Sequence, residues 1–174
     1  MPAIFLFTGL SGSGKTTLAN AVAANLKGQG NELCIIDGDV YRNTVNKDLG
    51  FSEDDRRENM RRLMEVAIQK QSQGQNVIIA AINPFEDQRL QLAEKAGAYV
   101  IYVECPLPTL MTRDTKGLYK RALLPNEHPE KLHNLTGVND RYDVPAKPDL
   151  TINTHELTLE EALEQLTSFM TRLP

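Results

Sequence analysis

The run GLSGSGKTT, Gly9 to Thr17, matches GxxxxGK[ST] at every fixed position. An apolar run, IFLF, precedes it and a helical pattern follows. Glycines in such a loop let backbone N–H groups converge on phosphate oxygens, and the next helix points its positive end at them. Lys15 then reaches the β- and γ-phosphates, and the Thr16 hydroxyl is a Mg²⁺ ligand. A bare Gly-rich turn would have no use for the Lys-Thr pair. The motif therefore dictates a strand, a loop and a helix at the N-terminal end of an α/β sheet.

Four further apolar runs support that sheet: LCII (33–36), VIIA (77–80), YVIYV (99–103) and LTI (150–152). They are nearly continuous rather than alternating, as strands buried on both faces must be. Helical patterns lie between them. Leu18, Ala21, Val22, Asn25 and Leu26 recur at 3–4 spacing, with Gly28 and Gly30 as stops. Ser52 with Asp55 resembles a capping box, and Met60, Leu63, Met64, Ala67 and Ile68 form one stripe ended by Gly74. A helix is expected from Pro84 to about Ala96, and a last one from Thr158, where Glu161 completes a capping box. The alternation predicts one α/β domain over 1–174, with three α/β/α layers and a five-stranded parallel sheet. Its crevice lies at the carboxyl ends of the strands. The stretch from about 116 to 147 lacks a strong pattern and is rich in Lys, Arg, Pro and Asn, which predicts a lid segment.

Composition removes several classes. The formal net charge is −4, so no basic field for a nucleic acid polymer exists. No apolar run approaches the ~20 residues that span a membrane, and no signal-like N-terminus precedes the loop, so a cytoplasmic protein is expected. Cys34 and Cys105 are not in a CxxC pair and read as free thiols. A switch GTPase would need an NKxD-like element, which is missing. A motor ATPase would carry acids after an apolar strand, and VIIAAINP (77–84) has none. Small size, acids after the second strand and a basic lid favour a small-molecule kinase.

The run IDGDVYRNTVNKDLGFSEDDRRENMRR (36–62) follows the second strand. Asp37 and Asp39 would face the crevice, where a carboxylate takes a proton from an attacking hydroxyl or helps place Mg²⁺. Arg42 lies one turn on, and Arg56 and Asn59 share a helix face. The same residues also read as a turn followed by a solvated basic surface. With RDTKGLY (113–119) and LTGVNDRYDVPAKPDL (135–150), however, the chain resembles the adenylylsulfate kinase (APS kinase) family of P-loop kinases almost throughout.

The resemblance implies a P-loop kinase fold, and transfer of a phosphoryl group from Mg²⁺-ATP to the 3′-hydroxyl of adenylyl sulfate. ATP would be held by Gly9, Ser11, Gly12, Ser13, Gly14, Lys15, Thr16 and Thr17, with Arg113 near its base. Lys15, Asp37 and Asp39 would be catalytic, and Asp39 a second Mg²⁺ contact beside Thr16. The acceptor would meet Asp39, Arg42, Phe51, Arg56, Asn59, Ile82, Asn83, Lys116 and Leu135, with Phe51 stacked on its adenine. Members of the family often form homodimers.

Three departures fall on the acceptor side. Asn83 stands where many members have Ser in an ISP element. An amide accepts no phosphoryl group, so a phosphoserine intermediate is excluded here and direct transfer is expected. Asn83 is left to hydrogen-bond or to cap the next helix. Leu135 replaces the lid Phe of a Phe-Thr-Gly element that closes a base sandwich worth ~1–3 kcal/mol per base. The lid insert LLPNEHPEKLHN lengthens the cover, and its His128 and His133 read as solvated loop residues. Leu135 and the altered lid keep a second reading open, a kinase for another nucleotide-linked hydroxyl, such as a cytidine diphosphate phosphoramidate; a third, a regulatory module that binds ATP without transfer, has the intact Lys15, Thr16, Asp37 and Asp39 against it.

Overall fold

The computed structural model describes residues 2–28 and 32–173. Five parallel strands, β1 (Ile4–Thr8), β2 (Leu33–Asp37), β3 (Asn76–Ala80), β4 (Tyr99–Glu104) and β5 (Leu150–Asn153), stand in the order β2-β3-β1-β4-β5. Between them run α1 (Lys15–Gly28), α2 (Gly38–Asn43), α3 (Glu53–Ser72), α4 (Glu86–Ala96), α5 (Leu107–Arg113) and α6 (Leu118–Ala122), with α7 (Leu159–Thr171) at the end. The order reverses at β1, which pairs with β3 on one side and β4 on the other. A crevice must open above that point, because the helices after β1 and β3 leave toward opposite faces.

Alternate residues of the strands feed two cores. Phe5, Phe7, Ile78, Ile101 and Ile152 pack against α1 and α7 through Leu18, Val22, Leu166 and Met170. Ile4, Leu6, Ile36, Val77 and Ile79 pack against α3 and α4 through Met60, Leu63, Met64 and Leu92. Burial of each such side chain stabilises by about 1.5–3 kcal/mol, and only doubly covered strands use both faces. The five apolar runs of the sequence are thus the five strands. The α1 stripe is turned from its expected position: Ala19 is buried, while Asn25 is exposed. Gly28 is the last residue of α1, and Gly30 lies outside the described residues.

The caps follow the expected chemistry at two helices. Ser52 Oγ accepts from Asp55 N at 3.1 Å at the start of α3. Thr158 and Glu161 satisfy each other's backbone N–H at α7. At α4 the expectation fails. The cap position is Phe85, without a side-chain bond, so Asn83 caps nothing. The 116–147 stretch contains α6 and packs through Tyr119, Ala122 and Leu135 on Cys105 and on Leu110 of α5, in a small third core. Lys131 Nζ donates to the carbonyls of Ala122 and Leu124, both at 2.7 Å, and closes off the end of α6 from the inserted loop.

Candidate active site

The phosphate loop leaves β1 at Gly9. A Cβ there would lie 2.3 Å from the carbonyl oxygen of Val103, so only glycine lets the loop pass over β4. Within the loop, Lys15 is 9% exposed, and its Nζ donates to the carbonyls of Gly9 and Leu10, both at 2.8 Å. Burial pushes its ammonium down to about 8, a loss resisted by Asp39, deepened by Lys116 and resisted again by Asp37. Thr16 Oγ1 donates to Asp37 Oδ2 at 2.7 Å. The other Asp37 oxygen accepts from the backbone of Asp39 and Val40 at 2.9 and 3.2 Å and caps α2. Asp37, rather than Asp39, therefore meets the Thr16 hydroxyl. Two hard oxygen donors converge there, which suits Mg²⁺ with its remaining ligands from water and phosphate.

Asp39 turns the other way and forms an ion pair with Lys116, 77 residues away in sequence. It lines three adjoining cavities. One, of about 240 Å³, holds the loop residues Gly12, Gly14, Lys15, Thr16 and Thr17. A second, of about 870 Å³, is walled by Phe51, Leu118, Leu132 and Leu135 and is large enough for a nucleotide-sized ligand. A third, inner one adds Asn59, Ile82 and Asn83 to Arg42 and Arg56. Ser11 also lines the first two. Ser13 is buried beneath the loop, where its carbonyl accepts from Thr154 Oγ1 at 2.8 Å. Arg113 Nη2 donates to the carbonyl of Thr154, whose side chain lies against Gly14 of the loop, at 2.7 Å.

Arg56 ties the acceptor-side wall to the 116–147 segment. Its guanidinium donates to Phe51 O at 2.9 Å, Thr136 Oγ1 at 2.7 Å, Asn134 O at 2.7 Å and Asp140 at 3.1 Å. Burial lowers its pKa while Asp140 opposes the shift. Phe51 is 53% exposed and carries the Arg42 guanidinium at 4.7 Å from its ring centre and that of Arg56 at 5.6 Å. Such cation–π contacts tie the ring to the two arginines. Arg42 is also fixed by a 2.8 Å bond to Gly50 O. Leu135 lines the large cavity, yet it is 5% exposed because it is anchored in the small third core. Gly137 lies against Leu10 of the phosphate loop: an added Cβ would come within 2.6 Å of it. Tyr119 Oη donates to Ser11 O at 2.6 Å, a second stitch from segment to loop.

Sequence reasoning missed four supporting residues. Asn46, 1% exposed, donates to Asn59 Oδ1 at 3.0 Å and so leaves the Asn59 NH₂ as the atom for the cavity. Arg89, 0% exposed, donates to Asn83 O at 2.5 Å, to Glu86 at 2.7 Å and to Asp143 O. Thr8 Oγ1 donates to Ile82 O at 2.6 Å and shares a 3.1 Å bond with Tyr142 Oη. Only Arg89, an arginine inside an apolar helical stripe three residues before Leu92, left a trace in the pattern. A further groove of about 820 Å³ between α3 and α4 is lined by charges of both signs and shares no residue with the three cavities.

Comparison with known proteins gives a consistent result. A family model described as "Adenylylsulphate kinase" matches residues 1–153. The adenylyl-sulfate kinase of Bacillus pumilus is 45% identical over 170 residues, covering 96% of this chain and 84% of the relative. That of Geotalea uraniireducens is 42% identical over 174 residues, covering 98% and 81%. The structure of the Mycobacterium tuberculosis APS kinase CysC in complex with AMPPNP and APS matches with a TM-score of 0.88 at 34% identity, over 98% of each chain.

Proposed function

We infer that this chain, which belongs to the adenylylsulfate kinase family, is an ATP-dependent adenylyl-sulfate kinase that forms 3′-phosphoadenylyl sulfate by direct transfer. The observation that carries the direct route is the position of Asp39, a carboxylate common to the phosphate-loop cavity and both acceptor-side cavities. ATP's phosphates lie along Gly12–Thr17 with Lys15 on the β- and γ-oxygens, and Arg113 lies toward the base. Mg²⁺ would be held by Thr16 with Asp37 beside it, and when bound would neutralise the charge that develops on the phosphates. Asp39 takes the proton of the 3′-hydroxyl. The new O–P bond forms as the bond from the γ-phosphorus to the β–γ bridging oxygen breaks, and ADP leaves. A phosphoserine intermediate at position 83 is excluded, since Asn83 offers no hydroxyl where many members of the family have Ser.

The acceptor lies across the boundary. Its base fits between Phe51 and the Leu135 wall, and its phosphosulfate fits against Arg42, Arg56 and Asn59. The 116–147 segment is the lid, and its bonds to Arg56 and Ser11 exclude water from the transfer. Lys116 is released from Asp39 when phosphate oxygens compete for its ammonium.

The test is ADP release with Mg²⁺-ATP, comparing adenylyl sulfate with AMP and with CMP- and CDP-linked acceptors. Saturable turnover on adenylyl sulfate, with the 3′-phosphorylated product identified, is expected. Turnover on a cytidine-linked compound alone would move the acceptor assignment. ATP binding without any turnover would favour a regulatory module.

A pH dependence follows from Lys15. The ammonium is needed, and in the unliganded site it is lost as pH rises through about 8. kcat/KM for ATP, which reports the free enzyme, is expected to fall above that pH. Bound phosphates favour the charged form, so kcat should hold to higher pH. A pH–rate profile measures both, and a kcat/KM flat to pH 9.5 would contradict the assignment.

A further inference from the structure

Among the described residues, Gln75, Gln88 and Thr167 each leave one buried side-chain atom without a partner, whereas Asn83 leaves both its amide nitrogen and its amide oxygen. Asn83 is 2% exposed and has φ +46°, a region that Asn enters more readily than most residues. Its backbone is held in place from two sides: Arg89 Nη1 reaches its carbonyl at 2.5 Å and Thr8 Oγ1 at 3.3 Å. A buried amide without partners is costly, and a strained backbone adds to that. Side chains held so are expected where a ligand completes them.

The cavity that Asn83 lines identifies the ligand group. It shares Arg42, Phe51 and Arg56 with the larger cavity but lacks the leucines that suit a base. In their place stand Asn59 and Asn83, so its polar lining is two guanidinium groups and two amides against one carboxylate, Asp39. Asn59 is turned NH₂-first by Asn46. This is a cradle for oxyanions. We propose that the Asn83 side-chain amide donates to a terminal sulfonyl oxygen of the acceptor's phosphosulfate and so helps this enzyme tell a sulfated nucleotide from the unsulfated one. The Oδ1 atom cannot face an oxyanion, so the amide enters Nδ2-first. The backbone that carries the donor is already fixed, so binding has only the Asn83 side-chain torsions to order.

The proposal rests on the adenylyl-sulfate reading, and the test separates the two. Binding of adenylyl sulfate and of AMP to the whole chain is measured by calorimetry with ADP present. The proteins are the natural one, Asn83→Gly, which keeps the positive φ and removes the amide, and Asn83→Asp, which keeps the shape and replaces the donor by an anion. For Asn83→Gly, the affinity for adenylyl sulfate should fall about tenfold or more, the usual worth of a hydrogen bond to a charged group, while AMP changes by less than about twofold. Asn83→Asp should lose more on adenylyl sulfate than Asn83→Gly does. Equal losses on both ligands would overturn the proposal, since the amide would then read the shared AMP portion. An unchanged preference in both variants would overturn it too. A natural protein without preference for adenylyl sulfate over AMP would instead remove the acceptor reading itself, and the proposal with it.

Discussion

Replacing Asp39 by asparagine is expected to lower kcat by about 10²–10⁴-fold, the contribution typical of a positioned general base, while ATP binding stays within a few-fold. The amide has nearly the same shape, so the cavities persist. What disappears is the ability to take the 3′-hydroxyl proton as the O–P bond forms. ATP affinity changes little because the groups that hold phosphate are Lys15, Thr16 and the loop backbone, and Asp37 holds Thr16 independently of Asp39. Removing a carboxylate near anionic phosphates can even favour binding slightly. Single-turnover ADP formation beside calorimetric ATP binding measures both halves. Normal turnover by Asp39→Asn would end the assignment of that carboxylate.

Arg56→Ala carries the second large effect, and it has two readouts. The side chain donates to four partners spread over Phe51, Asn134, Thr136 and Asp140. It therefore connects α3 to the lid and also offers a cation to the acceptor. KM for adenylyl sulfate is expected to rise on the order of tenfold, the loss of the one N–H that the four protein partners leave for the acceptor, with KM for ATP nearly unchanged. Unfolding free energy should drop by about 3 kcal/mol, the lower end for breaking a buried pair, because Asp140 keeps part of its solvent contact. Arg56→Lys should rescue neither, as one ammonium cannot reach four acceptors in the directions of a planar fork. An equal rise in both KM values would show a general collapse of the crevice rather than a role in acceptor capture.

The sequence disclosed these features unevenly, for physical reasons. The phosphate loop is legible because its backbone needs glycines at fixed spacing and its chemistry needs Lys15 and Thr16 next to each other. The strands are legible because Ile4–Thr8 and its neighbours are covered on both faces and are therefore mostly apolar. Arg56 and Asn59 are legible as a pair because a helix places them one turn apart. The short helices α5 and α6 were not, since seven and five residues are too few for a period to establish itself. Contacts between distant residues left no mark: Lys116 with Asp39 and Thr8 with Tyr142 depend on the sheet order, which no local pattern encodes. Asn83 was visible as a departure from a family pattern, but its burial without partners is a property of the assembled crevice. Leu135 looked like half of a base clamp, and its anchoring among Tyr119 and Leu110 shows that it also serves the small third core.

The position of β1 in the middle of the sheet has a consequence for how the chain comes to life. Ile4–Thr8 is the first strand made, yet its partners on either side begin at Asn76 and Tyr99. Nothing in the first seventy residues can pair with it. At a synthesis rate of roughly 5–20 residues per second, the interval is on the order of 5–20 s. During that interval an apolar strand and a glycine-rich loop wait without a sheet, and parallel pairings across such separations are slow to form even afterwards. The phosphate site is thus encoded first and completed near the end. Truncated or stalled chains would expose an apolar strand without its partners, and a chaperone that recognises short apolar segments would meet IFLF before the other four strands.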